Sequence, residues 1–199
     1  MKVNRRHFLG AVASGSAGLA APRAFASVRS GEPPAQLAQA RAALDARGAL
    51  IPHRDMLGIV DFSLSSGHPR FHLVDLAGGR VAETWLVAHG RGSDPANSGW
   101  VEHFSNRPGS NASCRGSFLT SGIYVGQHGR SRRVIGLDAE NSLASSRNIV
   151  IHGADYVSPG AAFATGRVGR SQGCFAVSRG DIGEVLARLG EGRLLYAWK

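Results

Sequence analysis

The chain has 199 residues, room for one domain of ordinary size, and 43% of them are hydrophobic, which excludes a wholly disordered polypeptide. With 27 glycines and only 7% aromatic residues, it favours short strands joined by tight turns over long helices. The formal charge of +9 suits an anionic surface, but no basic helix interleaved with aromatics occurs, which argues against a nucleic-acid partner.

Residues 1–26 read as a secretory signal. Paired Arg5-Arg6 precede Phe8-Leu9, an uncharged run follows from Gly10 to Ala21, and Ala24-Phe25-Ala26 offers a cut before Ser27. The twin arginines indicate Tat export to the periplasm or cell envelope. The run is too short and too rich in Gly, Ala and Ser to serve as a stable membrane span. Cleavage removes Lys2, Arg5, Arg6 and Arg23 and no acid, so the charge falls from +9 to +5.

Residues 27–56 form a polar lead-in and one short amphipathic helix over Ala35–Arg47, with Leu37, Ala40 and Leu44 on one face. Residues 57–199 form the main domain. Strands are predicted at Leu57–Phe62, Arg70–Leu76, Val81–His89, Phe118–Val125, Arg133–Leu137, Asn148–Ile151, Cys174–Val177 and Arg193–Trp198. The second and third pair as a hairpin across Ala77–Arg80. A helix is predicted over Asp181–Leu189. The expected fold is mainly β, a sandwich or partly open barrel with a short N-terminal helix and one helix near the C-terminus.

The chemistry concentrates in Ile151-His152-Gly153 and Gly169-Arg170-Ser171-Gln172-Gly173-Cys174. A thiol is a strong nucleophile as thiolate, and a neighbouring imidazole supplies the base. The pair implies acyl transfer through a thioester, with the sulfur held ionised by His152. His152 is expected to end one strand and Cys174 to begin another, and the Gly-rich loop between them is flexible enough to bring them together. Gly173, without a Cβ, lets a carbonyl approach, and the amides of Gly173 and Cys174, with Gln172, are candidate oxyanion donors in the turn begun by Ser171. Either Asp155 or the Gly153 carbonyl can orient the imidazole. Tyr124 and His128, in a Gly-rich run, are candidate cleft residues. The histidines show no metal-ligand spacing, and no cofactor is expected. Alternatively, the two cysteines, Cys114 and Cys174, form a disulfide in a non-catalytic wall-binding module.

Ile-His-Gly followed by Ser-x-Gly-Cys resembles the catalytic domain of the murein L,D-transpeptidase family (YkuD-like). Further stretches that resemble it are Val60–Ser63, Val87-Ala88-His89-Gly90, Phe104-Ser105-Asn106 and Gly122–Gly129. The resemblance implies that Cys174 attacks the bond between an L-centred diamino acid and D-Ala in a peptidoglycan stem peptide. It implies that His152 moves the proton, that the Gly153 carbonyl orients its ring, and that a second stem's amine resolves the thioester. Resolution by water would instead make a carboxypeptidase or endopeptidase. The chain departs from the family pattern at Gln172, where many members carry His, and at Ala176, where many carry Arg. Arg170 or Arg179 would then be the carboxylate contact.

Overall fold

The computed structural model describes residues 34–199. The segment read as a signal lies outside the described residues. Eight strands form one mixed sheet: β1 (Met56–Asp61), β2 (Phe71–Asp75), β3 (Arg80–Trp85), β4 (Gly116–Gly126), β5 (Gly129–Gly136), β6 (Val150–Ala154), β7 (Phe175–Ser178) and β8 (Leu194–Trp198). Their spatial order is β3-β2-β1-β8-β4-β5-β6-β7. The sheet is mainly antiparallel, with parallel pairs at β1/β8 and β6/β7. It does not close into a barrel. Its two ends nonetheless approach, because the chain leaving β3 bridges the far edge at Ala88–Ala176 and the segment before β7 at Gly90–Ser171.

One face of the sheet encloses Phe62, Phe71, Phe118, Ile151, Phe175 and their neighbours, with Val185 and Leu189 of helix α3 (Ile182–Arg188) and its cap closing the core. The opposite face carries helix α1 (Leu37–Arg47), whose Ala40 and Leu44 pack on Leu57, Ile59, Val74, Leu194 and Tyr196. The amphipathic spacing read from Leu37, Ala40 and Leu44 thus becomes a packing stripe. At about 25 cal/mol per Å² of apolar surface removed from water, these contacts are the main force holding α1 and α3 on the sheet.

The third strand ends at Trp85 rather than His89, the fifth begins at Gly129 rather than Arg133, and β7 begins one residue after Cys174. Two further differences from the sequence expectation shape the site. The stretch between His152 and Cys174 contains a third helix, α2 (Pro159–Thr165). Ser158 caps it by accepting a hydrogen bond from the Ala161 N–H, Pro159 opens it, and Gly166 ends it in the left-handed region at φ 70°. Such a cap is worth about 1 kcal/mol. Reading the glycines of this stretch as flexibility concealed a start-and-stop pattern. The consequence is a β6–α2–β7 crossover, the connection that parallel neighbours require. In addition, β6 runs two residues past His152, which therefore sits in mid-strand. Gly153 makes this continuation feasible: a Cβ there would lie 3.0 Å from Ile182 Cγ2, so its absence lets α3 pack close.

Candidate active site

The crossover sets the geometry. Ile151 pairs with Phe175 and His152 with Ala176, so Cys174, one residue before β7, lies level with Val150. Side chains alternate along a strand, so Val150, His152, Cys174 and Ala176 share the face away from the main core, while Ile151, Phe175 and Val177 point into it. Cys174 and His152 are therefore diagonal neighbours on one face of the sheet.

Both open on a cleft of about 840 Å³, which also takes in Tyr124, His128, Arg170, Ser171 and Gln172. Of the sequence-predicted site residues, Cys174, His152, Gln172, Ser171, Arg170, Tyr124 and His128 line this cleft, while Asp155 and Arg179 do not. Gly153 and Gly173 are buried behind it. Sequence reasoning missed Arg91, Arg133, Arg147, Asn111, Asn148 and Tyr156, all on its walls. The lining has four arginines and no carboxylate, a field that draws anionic ligands.

His152 is buried, and its Nδ1 lies 3.0 Å from the Gly153 carbonyl. A carbonyl only accepts, so Nδ1 carries the proton and Nε2 keeps its lone pair. Asp155 instead pairs with Arg179 at 2.7 Å, exposed to solvent. His128 stacks on His152 with ring centroids 4.1 Å apart. The flanking residues on the sheet, Ser131 and Ala176, are small, which leaves room for that second ring.

The sulfur is not held ionised in the resting state. Burial pushes the Cys174 thiol up, opposed by the Val150 N–H and the charge of Arg147. Burial pushes His152 down, opposed by its Gly153 bond and reinforced by His128 and Arg179. The thiol donates to the Asn148 carbonyl at 3.5 Å rather than to the imidazole. The resting pair is neutral thiol and neutral imidazole, because desolvation penalises both ions. A proton must move when the sulfur attacks. Cys114 is a free, buried thiol, pushed up to about 11 by burial, and Cys174 is free as well. Among the described residues no cluster of three or more His, Cys, Asp or Glu side chains is placed to hold a metal ion.

The nucleophile turn is fixed by hydrogen bonds. Ser171 Oγ donates to the Cys174 carbonyl at 2.8 Å and accepts from the Gly173 N–H at 3.1 Å. The Gly173 amide is thus already spent. Gly173 has φ 114°, and a Cβ there would sit 2.7 Å from the Ala112 carbonyl. Both the conformation and the space demand glycine. Ala176 is fully buried in an apolar cluster with Leu86, Ala88, Ala154, Val157 and Val168, so this position has no room for an arginine. Of the two arginines named as substitutes, Arg170 lines the cleft with its guanidinium on the Asp94 carbonyl, while Arg179 is held by Asp155.

Behind the turn lies a buried network the sequence did not reveal. Arg70, fully buried, donates to the carbonyls of Leu64 (2.7 Å) and Val87 (3.0 Å) and to His89 Nδ1 (2.8 Å). His89 Nε2–H donates to Asp94 Oδ2 at 3.1 Å. The main chain at His89 accepts from the Ser171 N–H, and Arg91 N–H returns a bond to the Ser171 carbonyl, both at 2.9 Å. The network therefore clamps the turn that carries Cys174.

This network predicts acid sensitivity. Burial, then the charge of Arg70, lowers His89 to about 4 against the pull of Asp94. A histidine whose folded value lies below its unfolded value of about 6.5 contributes stability that is complete above the unfolded value. That contribution is lost as pH falls from about 6.5 to about 4, on the order of 3 kcal/mol in all. Urea unfolding at pH 7, 5.5 and 4.5 should show the loss, reduced in His89→Gln. A flat profile would contradict it.

Against protein families, residues 34–198 match the model described as the L,D-transpeptidase catalytic domain. Among curated proteins none matches. Similar solved structures include an L,D-transpeptidase from Mycobacterium smegmatis (14% identity, 73% of this chain and 59% of that one, TM-score 0.45). Another is an L,D-transpeptidase from Mycobacterium tuberculosis H37Rv (15%, 73% and 58%, 0.46). A third is an L,D-transpeptidase from Xylanimonas cellulosilytica (17%, 80% and 69%, 0.44). The chain spans 59% and 58% of the length of the first two.

Proposed function

The chain belongs to the L,D-transpeptidase catalytic domain family, and from that premise we propose that it is an exported cysteine acyltransferase of peptidoglycan. Cys174 attacks the carbonyl that joins an L-centred diamino acid to D-Ala in a stem peptide. His152 Nε2 takes the thiol proton as the C–S bond forms, then returns it to the D-Ala nitrogen as the C–N bond breaks. A thioester remains on Cys174. The amine of a second stem then attacks it, again with His152 as base, and the thiol is regenerated. The amides of Gln172 and Cys174 are the donors assigned to the oxyanion, since that of Gly173 is bonded to Ser171. Tyr124, His128 and Arg170 are assigned to substrate binding along the cleft.

The observation that carries this reading is a buried imidazole, its Nδ1–H tied to the Gly153 carbonyl, sharing a cleft with a free thiol. That arrangement supplies a base of fixed tautomer beside a nucleophile. The carboxylate-free, arginine-rich lining supports an acidic peptide substrate. Residues 1–26 are proposed as a Tat signal and 57–199 as the catalytic domain. Arg5→Lys with Arg6→Lys should trap the precursor inside the cell. Among the described residues no helix is long and apolar enough to cross a membrane.

The test is incubation of the purified protein with muropeptides, read by mass spectrometry. Crosslinked dimers with released D-Ala are the expected products. Shortened monomers alone would make it a carboxypeptidase or endopeptidase, and unchanged substrate would remove the reading.

A further inference from the structure

A partly buried sulfur that must become an anion is helped by a positive charge nearby, and the residues facing it can be compared. His152 faces Cys174 from β6, Tyr156 from the segment after it, Cys114 from the irregular segment before β4, and Arg147 from the turn before β6. Burial favours the neutral form of His152, Tyr156 and Cys114. Of these four, Arg147 is the one charged at neutral pH.

Its placement is unusual. Arg147 is half-buried and lines the cleft beside Cys174. Nη1 donates to the Ser105 carbonyl at 2.7 Å, and Nη2 donates to the Ala112 carbonyl at 2.5 Å and to Ser110 Oγ at 3.4 Å. These acceptors are all neutral, and among the described residues Arg147 forms no ion pair. Its guanidinium is therefore fixed without being neutralised. Nη2 also lies 3.1 Å from where a Cβ on Gly173 would stand, directly against the residue before the nucleophile. The other cleft arginines are placed differently: Arg133 lies over the Tyr124 ring, Arg170 reaches to the Asp94 carbonyl, and Arg91 is exposed.

We propose that Arg147 is the fixed cation of the site, holding the charge that develops on Cys174 as its proton leaves for His152. It makes up for position 172, where this chain carries an uncharged glutamine, and for position 176, where the core admits only a small residue. Arg147 acts on the sulfur through space and takes no proton. The inference rests on the reading of Cys174 as nucleophile.

The test is the pH dependence of Cys174 alkylation by iodoacetamide in a Cys114→Ala background, which removes the second thiol. Arg147→Gln keeps hydrogen-bond donors but loses the charge; Arg147→Lys keeps the charge. Arg147→Gln should raise the midpoint by about one pH unit, making alkylation at pH 7 about tenfold slower. Arg147→Lys should stay close to the parent. Equal midpoints in all three proteins, or slower rates in both variants without a shift, would overturn the proposal in favour of simple loop support. Should Arg147→Gln not fold, the ratio of iodoacetate to iodoacetamide rates at Cys174 decides. It must be several-fold higher in the folded Cys114→Ala protein than in the urea-unfolded chain, and a ratio no higher overturns the proposal. Alkylation needs no wall substrate. A shifted midpoint in a protein that never turns over muropeptides would leave this inference standing while the proposed function fell.

Discussion

Cys174→Ala should lower turnover of stem peptides by at least about 10⁴-fold with unchanged folding, because Cys174 is the one thiol among the described residues that line the cleft. His152→Gln should be milder, about 10²–10⁴-fold, since a general base is replaceable in part by water. The two effects should not add, because every proton His152 moves belongs to a step that forms or resolves the Cys174 thioester. Steady-state release of D-Ala from a tetrapeptide stem measures the parent, both single variants and the double variant. Because the resting pair is neutral, the wild-type rate should rise with pH as His152 loses its proton and continue upward as the raised Cys174 thiol begins to ionise. A Cys174→Ala protein with substantial activity would place the chemistry elsewhere.

Arg70→Met should cost about 3–5 kcal/mol of stability, the usual penalty for removing one member of a buried charged network. The methionine fills much of the space but leaves the carbonyls of Leu64 and Val87 and the Nδ1 of His89 without their donor. It also removes the cation 5.0 Å above the Phe62 ring. Although burial lowers Arg70 to about 9, it remains protonated at neutral pH and faces the charges of Asp61 and Asp94. Equilibrium urea unfolding at pH 7 reads the loss as a lower midpoint with little change in slope. Because the network clamps the Ser171 turn, the residual folded protein should also alkylate Cys174 at an altered rate. A change below about 1 kcal/mol would mean that the network is not holding the edges of the sheet together.

Much of this arrangement was written in local sequence. Alternating or continuous apolar runs located the strands, since each must bury at least one face. Ile151-His152-Gly153 and Ser171–Cys174 located the chemistry, since few other roles need a base and a thiol framed by glycines. The limits of β6 were misjudged because Gly153 and Ala154 look like turn formers, yet their small size is what α3 and the apolar cluster around Ala176 require. Helix α2 was overlooked although Ser158-Pro159 and Gly166 mark both its ends. Arg147 and the Arg70–His89–Asp94 network were not legible. Their partners lie up to 42 positions away in the chain, and many of their bonds go to backbone carbonyls, which no side-chain pattern records. The expectation of an ionised sulfur failed for a related reason. Sequence proximity to a histidine says nothing about desolvation, and here burial works against the charged form of both groups.

The most direct measurement is the intact mass of the protein after brief exposure to isolated tetrapeptide stems, quenched in acid. The account predicts a mass increase equal to the stem less D-Ala, located on Cys174 by peptide mapping and released by hydroxylamine as a thioester must be. An unmodified mass in a folded, reduced protein that nonetheless consumes the stems, or an adduct on any other residue, would contradict it.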